Sequence, residues 1–207
     1  MAKVRIPQQQ RSVETKKRIE DAAFELFSLK GIHGTNSREI ADRAGVSIGS
    51  FYSYFKDKKQ LLLTILENFL TMGYTLIWKD LRTMDLDDLS QSDIRSVLAN
   101  VLKPFDIAPT FPSQTHALRY SDLDINRIFE RGRQRALAQI MKLFQANESR
   151  LRLRDPYAAA IIFHNAVEQV AHTSKFIGTE IEESRLIDEL PHIIYDFFVY
   201  KSIDIRK

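Results

Sequence analysis

Apolar residues recur at spacings of three and four along most of this 207-residue chain, which is the pattern of one buried face of an α-helix. The first stripe starts after about Val13 and runs from Ile19 to Phe27, and Gly31 is the kind of residue that ends a helix. No segment alternates apolar and polar residues for long enough to predict a β-strand. The pattern therefore predicts an all-α protein.

The segment 36–62 predicts two short helices joined by a glycine turn. Asn36 with Glu39 three residues later forms a capping-box pattern and places the first helix at 37–44, and Ser47 is a suitable cap for the second at 48–54. Gly45 between them supplies the backbone angles that the turn requires. This order of elements is how many proteins place one helix in the major groove of DNA.

Longer helices are predicted after this segment. Asp57 begins a second capping box, which opens a leucine-rich helix. A further helix is expected to start at Ser90 or Ser92 and to end at Pro104, because proline interrupts helical hydrogen bonding. Residues 103–116 contain three prolines and are predicted to be irregular.

Three helices are predicted in the second half of the chain, at about 121–146, at about 156–176 and within 182–200. Asp155 is a suitable cap for the second of these, and the proline that follows it suits the first helical position. Pro191 lies inside the last range, so that helix either kinks there or begins close to it.

Positive charge is concentrated at the N-terminal end of the chain, although the net charge is only +3. Residues 1–60 contain 12 Lys and Arg against 7 Asp and Glu, whereas the remainder contains 18 against 20. The basic part is also the part with the helix-turn-helix pattern, and together they favour DNA as a partner. A charge run by itself is more often a solvated surface.

Composition narrows the classes of protein. The chain has no cysteine, which excludes disulfides and cysteine–zinc sites. The longest apolar run in the C-terminal half, Ala158 to Phe163, is too short to span a membrane, and no apolar segment of a signal peptide is present at the N-terminus. We therefore expect a cytoplasmic protein that contacts no membrane.

The segment RIEDAAFELFSLKGIHGTNSREIADRAGVSIGSFYSYFKDKKQLL, residues 18–62, resembles the DNA-binding domain of tetracycline-repressor (TetR) type transcriptional regulators. The ordered motifs are the Ala-Ala and Leu-Phe stripe, Ile-Ala, Ala-Gly-Val-Ser, and Gly-x-Phe-Tyr-x-x-Phe-x-x-Lys. The resemblance covers under a third of the chain. The remainder is similar to the family only in the length and order of its helices.

This resemblance implies an all-helical homodimer, usually a repressor that leaves operator DNA when a small molecule binds. Its parts would be a flexible arm at 1–12, a helix-turn-helix DNA-binding domain at 13–56, and a ligand-binding and dimerisation bundle at 57–207. Arg11 in the arm, with Arg5, could reach a minor groove, although a tail without a role is the favoured interpretation.

Short polar side chains and cations around the second short helix are the candidates for contact with double-stranded operator DNA. They are Thr35, Arg38, Ser47, Ile48, Gly49, Ser50, Tyr52, Lys56 and Lys58. Tyr52 and Lys58 match phosphate-binding positions of the family. Ile48 stands where many members carry Lys or Arg, so it either packs on a thymine methyl group or packs within the protein. Tyr54 is either core or a base contact, and its spacing from Phe51 favours the core.

A mainly apolar or aromatic small-molecule ligand is expected for the C-terminal bundle, because no charged cluster indicates another class. The candidate pocket residues are Phe69, Met72, Leu76, Trp78, Phe105, His116, Tyr120 and Phe129. Aromatic residues at helical spacing are more often core than pocket.

The last two helices are predicted to form the subunit interface, because their apolar face is broad for a lone surface helix. The candidates are His164, Glu168, His172, Ile187, Leu190, Ile194, Phe197 and Phe198. His164, Glu168 and His172 share one helical stripe, which indicates either a metal site or a polar seam, and the seam is favoured. No metal and no cofactor are predicted.

Two other functions are alternatives to a ligand-responsive regulator. A DNA-organising or partner-binding protein on the same scaffold would need no inducer, and a fully packed C-terminal core would favour it. An enzyme is disfavoured, because the sequence contains no nucleophile–base set and no phosphate-binding glycine loop.

Overall fold

The chain is helical in this computed structural model, which describes residues 8–81, 91–148, 151 and 153–198. The helices are α1 (Gln8–Lys30), α2 (Ser37–Arg43), α3 (Ile48–Tyr54), α4 (Lys58–Leu81), α5 (Gln91–Ile107), α6 (Thr110–Leu118), α7 (Leu123–Ala146), α8 (Pro156–His172) and α9 (Glu183–Phe198). A π-helical turn, Thr173–Ile177, follows α8. The described residues contain no β-strand, so the predicted all-α fold is confirmed.

One compact unit combines Met1–Phe69 with Ala108–Ile128. Its core contains fully buried aromatic rings from several helices, and Phe111 of α6 lies among them. The Phe111 ring is 5.2 Å from that of Phe24 and 5.6 Å from that of Phe69, both edge-on. Burial of a phenylalanine side chain stabilises a fold by about 1.5–3 kcal/mol. A segment distant in sequence therefore completes the core around the helix-turn-helix.

The predicted starts of the two short helices are confirmed, because α2 and α3 begin at Ser37 and Ile48. α3 ends at Tyr54 as predicted, whereas α2 ends at Arg43, one residue before the predicted end. The first helix differs from the prediction. It begins at Gln8, five residues before Val13, so residues 8–12 of the predicted arm are helical here. Arg5 lies outside the described residues.

A second compact unit combines Leu70–Ile107 with Phe129–Lys207. One of its buried clusters contains Trp78, Leu137, Ile140, Phe144 and Ala160. Another joins Ile94 and Leu98 of α5 to Leu190 and Ile194 of α9. The ion pair of Arg95 with Asp188, at 2.6 Å, connects the same two helices at the surface.

The prolines of residues 103–116 do not produce the predicted irregular segment. α5 continues through Pro104 to Ile107, and α6 starts at Thr110. Packing of α5 on α9 stabilises a helix that loses one hydrogen bond at a proline. Pro109 and Pro112 fall at the cap and in the first turn of α6, where the backbone N–H groups have no partner within the helix.

Capping residues define the start of the helices in the second half. Asp155 accepts hydrogen bonds from the backbone N–H groups of Tyr157 and Ala158, both at 3.0 Å, as predicted. The cap of α7 is Asp122, since its Oδ1 accepts from the N–H groups of Asp124 and Ile125, and the helix predicted from about residue 121 begins at Leu123. α9 runs without a break from Glu183 with Pro191 inside it.

The π-helical turn contains a lysine, Lys175, that pairs with two carboxylates. Lys175 Nζ lies 2.7 Å from Asp106 and 2.6 Å from Glu183, so it links α5, the turn and α9. Burial by itself would lower the pKa of Lys175, but its hydrogen bonds to Asp106 and Glu183 outweigh that effect and raise it. Gly178 ends the turn with a φ of 87°, which glycine adopts without strain.

α4 contains one stretch, Lys58–Lys79, that is long and apolar enough to cross a bilayer by length and composition alone. Its Leu61, Leu62, Ile65 and Leu66 are buried in the first compact unit. Core helices of soluble proteins have the same composition, and burial of these four residues in protein accounts for the apolar side chains in the first half of the helix.

Candidate nucleic-acid interface

Local hydrogen bonds shape the helix-turn-helix. Asn36 Oδ1 accepts from the N–H groups of Arg38 and Glu39, and the Glu39 carboxylate accepts from the Asn36 N–H in return. The predicted capping box is therefore confirmed. These bonds satisfy N–H groups that a helix start leaves without partners.

The turn between α2 and α3 depends on Gly45, whose φ is +66°. The N–H of Val46 donates to the Ala41 carbonyl at 3.0 Å and closes the turn. Ser47 Oγ then accepts from the N–H of Ser50 at 3.1 Å and caps α3. The Ser47 hydroxyl, a predicted base or phosphate contact, is thus also a structural cap.

One side of α3 is buried and the other is open. Phe51 is completely buried, whereas Tyr52 is 54% and Ile48 37% exposed. The Tyr52 ring stands edge-on to Phe51 at 5.2 Å, which orients it, and Gly49 is also exposed. The open side presents a phenol, an aliphatic side chain and bare backbone within a little over one turn of helix. This is the chemistry that can contact phosphates and thymine methyl groups.

Residues that were ambiguous in the sequence separate by burial. At the end of α3, Phe55 packs in the core and is only 2% exposed, whereas Tyr54 is half-buried. Ser50 is also half-buried. Ile48 is on the exposed side rather than in the core.

Thr35 and Lys58 form internal hydrogen bonds. Thr35 is 2% exposed, and its hydroxyl donates to the Gly31 carbonyl at 2.9 Å. Lys58 Nζ donates to the carbonyl oxygens of Ile32 and Thr35 at 2.7 and 2.6 Å. The Thr35 side chain, predicted to contact a phosphate, is instead an interior donor, and two of the three Lys58 donors are occupied. Sequence spacing shows where Lys58 lies along α4. It does not show that the loop between α1 and α2 brings its carbonyl oxygens to the Lys58 ammonium group.

Carboxylates neutralise several cations nearby. Lys30 Nζ lies 3.1 Å from Glu39, and this hydrogen bond lowers the pKa of Glu39. Arg43 pairs with Glu25, and that bond raises the pKa of Arg43. Of the predicted DNA-contacting cations, Arg38 and Lys56 are exposed, and within the described residues neither has a carboxylate within 4.0 Å. Their charges remain available to a polyanion.

The predicted pocket residues are distributed over both compact units. In the first unit, Phe69 packs on Phe111, His116 is half-buried and Tyr120 is 85% exposed. In the second, Trp78 and Phe129 are buried, Met72 and Leu76 are exposed, and Phe105 contacts Phe176 at 5.3 Å. A small apolar crevice lies within the second unit, and none of the predicted pocket residues lines it. It is lined by Leu98, Val101, Leu102, Val167, Val170, Ala171 and Ile187.

The predicted interface residues of α9 are partly used within the chain. Leu190 and Ile194 are buried against α5, so this part of the apolar face that suggested a partner is covered internally. The side chains of Phe197 and Phe198 lie outside the described residues.

The polar stripe of α8 forms as predicted. The nitrogen Nε2 of His164 lies 3.6 Å, and that of His172 4.0 Å, from the Glu168 carboxylate. All three side chains are largely shielded from solvent.

Comparison with known proteins identifies the N-terminal part. Residues 19–65 match the family model described as bacterial regulatory proteins, tetR family. The chain is 45% identical over 58 residues to the HTH-type transcriptional regulator AcrR of Shigella flexneri. The aligned segment covers 28% of this chain and 27% of that protein. It is 30% identical over 106 residues to the HTH-type transcriptional repressor KstR2 of Mycolicibacterium smegmatis, covering 49% of each. The matched segment thus spans about a quarter to a half of these relatives.

The fold has a counterpart over nearly its whole length. A TetR-family transcriptional regulator structure from Mesorhizobium loti superposes with a TM-score of 0.76 and 20% identity, covering 92% of this chain and 99% of that one. At this identity the likeness establishes the fold.

Proposed function

We propose that this chain, whose residues 19–65 belong to the tetR family of bacterial regulatory proteins, is a sequence-specific DNA-binding regulator. Its proposed output is repression that a small molecule relieves. The observation that carries the proposal is α3, capped at Ser47, buried through Phe51 and open along Ile48 and Tyr52. A helix that is packed against the protein on one side and exposed to solvent on the other is suited to the major groove.

Each exposed group of this surface has a proposed role. Tyr52 donates its phenol to a phosphate, while Arg38 and Lys56 supply charge to the backbone. Gly49 lets the DNA approach closely, and Ile48 contacts a thymine methyl group. Ser47 and Ser50 offer hydroxyls at the same end of α3. Thr35 and Lys58 support the surface from inside by holding the loop before α2.

A homodimer is proposed for the second compact unit. Ile162 on α8 and Ile193 on α9 are 63% and 53% exposed, so apolar surface remains outside the intrachain core. Two-fold pairing through these helices would place two recognition helices about one DNA turn apart, roughly 34 Å. His164, Glu168 and His172 would form a polar seam near that surface.

The proposed ligand is apolar or aromatic and binds within the 57–207 region. The apolar crevice of the second unit supports this chemical class, because all seven residues that line it are hydrophobic. A ligand that favours another spacing of the recognition helices would lower operator affinity without touching DNA. The protein would act in the cytoplasm, where its operator is.

Selection of bound duplexes from a random-sequence library tests the function. An inverted repeat with half-sites one turn apart is the expected result, and the binding should weaken steeply with salt. Recovery of no preferred sequence would contradict the proposal. Sequence-specific binding that a panel of hydrophobic compounds never releases would favour a DNA-organising or partner-binding protein without inducer.

A further inference from the structure

Five of the ten Lys and Arg residues between 8 and 69 are paired with carboxylates. Carboxylates lie within 4.0 Å of Lys16, Lys17, Lys30, Arg43 and Lys59. Two backbone carbonyls hold Lys58. Apart from Lys58, the Lys and Arg residues without a carboxylate at this distance within the described residues 8–69 are Arg11, Arg18, Arg38 and Lys56. Arg38 and Lys56 belong to the interface described above, whereas Arg11 and Arg18 lie on α1.

Arg18 stands beside the turn of the helix-turn-helix. Its Nη1 lies 3.9 Å from the position that a Cβ on Gly45 would occupy, and its side chain is exposed. Its Nη2 is 3.5 Å from the Thr15 hydroxyl, a weak and neutral partner. Glu14, one helical turn earlier, instead accepts from Gln10 at 3.3 Å. The positive charge of the Arg18 guanidinium is therefore not compensated by a carboxylate within 4.0 Å among the described residues, and it lies next to the turn at Gly45 that precedes α3.

We infer that Arg18 binds a DNA phosphate and extends the interface from the helix-turn-helix onto α1. This inference rests on the proposed function, because it needs α3 in the major groove. A guanidinium presents several N–H donors in a fork that matches phosphate oxygens. Its place on α1, beside the turn at Gly45 and not on α3 itself, suits contact with the backbone rather than with base edges.

Arg11 continues the same surface. Residues 11, 15 and 18 are spaced i, i+4 and i+7, so they share one side of α1, and seven residues span about 10 Å of helix. The Thr15 hydroxyl between them donates to the Arg11 carbonyl at 2.9 Å. One side of α1 thus carries two guanidinium groups that have no carboxylate within 4.0 Å among the described residues, and both could bind phosphates.

The salt dependence of binding to the selected operator tests Arg18. Each phosphate contact releases counterions and contributes about 0.9 to the slope of log K against log salt. Arg18→Gln in a dimer should therefore make the slope shallower by about two, with an affinity loss of about tenfold or more at low salt. Arg18→Lys should retain the slope, because a lysine still neutralises a phosphate. The preferred sequence should not change.

Lys17→Gln is the matched control, because it removes one positive charge from the adjacent position while Lys17 pairs with Asp21 at 3.1 Å. Its slope should equal that of the wild type. Equal slopes for Arg18→Gln and Lys17→Gln would overturn the inference while leaving the proposed function intact. Absence of any preferred operator for the wild type would overturn both. Circular dichroism melting of each variant checks that the fold is retained.

Discussion

The Lys58 ammonium donates a hydrogen bond to the carbonyl oxygen of Thr35 at 2.6 Å. The same nitrogen donates to the Ile32 carbonyl, and the Thr35 hydroxyl donates to that of Gly31. The start of α4 and the loop before α2 are thereby joined from within. The sequence predicted Lys58 and Thr35 as phosphate contacts, but their side chains form hydrogen bonds within the protein.

Replacement of Lys58 by methionine should therefore destabilise the protein. Two carbonyl oxygens in a partly buried position would lose their donor, at a cost of about 1–3 kcal/mol. Urea denaturation measures the free energy of unfolding. Lys56→Met is the control, because Lys56 is exposed, and it should leave that free energy nearly unchanged. Equal stability of both variants would contradict the internal role of Lys58.

Gly49→Ala should stabilise the fold and yet weaken DNA binding. An added Cβ has space, since its nearest neighbour would be Ser47 Oγ at 3.9 Å, and alanine in a helix is favoured by roughly 0.5–1 kcal/mol. The same methyl group would stand on the open side of α3 and hold the duplex away. Thermal melting and a gel-shift titration separate the two effects.

Gly73→Ala is the matched control for that experiment. Nothing lies within 4 Å of a Cβ at Gly73, which is also inside a helix but far along α4. It should stabilise the protein similarly and leave operator affinity unchanged. If Gly49→Ala also binds with wild-type affinity, the backbone at Gly49 does not approach DNA.

Ile48 should discriminate thymine from uracil. Removal of the methyl group that Ile48 covers should cost about 0.8 kcal/mol, roughly fourfold in affinity. Operators with uracil at single positions locate the contact by fluorescence anisotropy. Ile48→Ala should bind the thymine and uracil operators equally. A fourfold loss that persists in the alanine variant would assign the methyl contact to another residue.

Asp122 should make the stability of the fold sensitive to acid. The hydrogen bond from Lys59, with Nζ and the carboxylate 2.9 Å apart, lowers the pKa of Asp122. A carboxylate whose folded pKa is below its unfolded value stabilises the fold above the unfolded value, near pH 4, and loses that contribution as pH falls through the folded value. Asp122→Asn, which can still cap α7, should therefore melt below the wild type at pH 7, and the difference should shrink as pH falls below about 4.

Asp122→Ala separates the cap from the charge. It loses the acceptor for the N–H groups of Asp124 and Ile125 as well, a further cost of about 1 kcal/mol. Melting curves between pH 3 and pH 7 give all three melting temperatures. A wild-type advantage over Asp122→Asn that is constant across this range would show that the ion pair with Lys59 contributes nothing.

The sequence by itself determined the features that depend on neighbouring residues. The cap at Asn36, the left-handed turn at Gly45 and the cap at Asp155 were predictable, because each uses atoms a few residues apart. The helical pattern predicted Phe51 in the core, and the family resemblance predicted Tyr52 at the surface; the two residues are buried and exposed accordingly.

Only the tertiary structure decided which side chains remain free to bind. Phe111 enters the core around the helix-turn-helix from a segment that proline content had suggested was irregular. Thr35 is buried and Lys58 is occupied, while Arg18 on α1 keeps its charge beside Gly45. Leu190 and Ile194 are covered by α5 of the same chain. These outcomes depend on contacts between residues far apart in sequence, and periodicity within one helix carries no information on what packs against it.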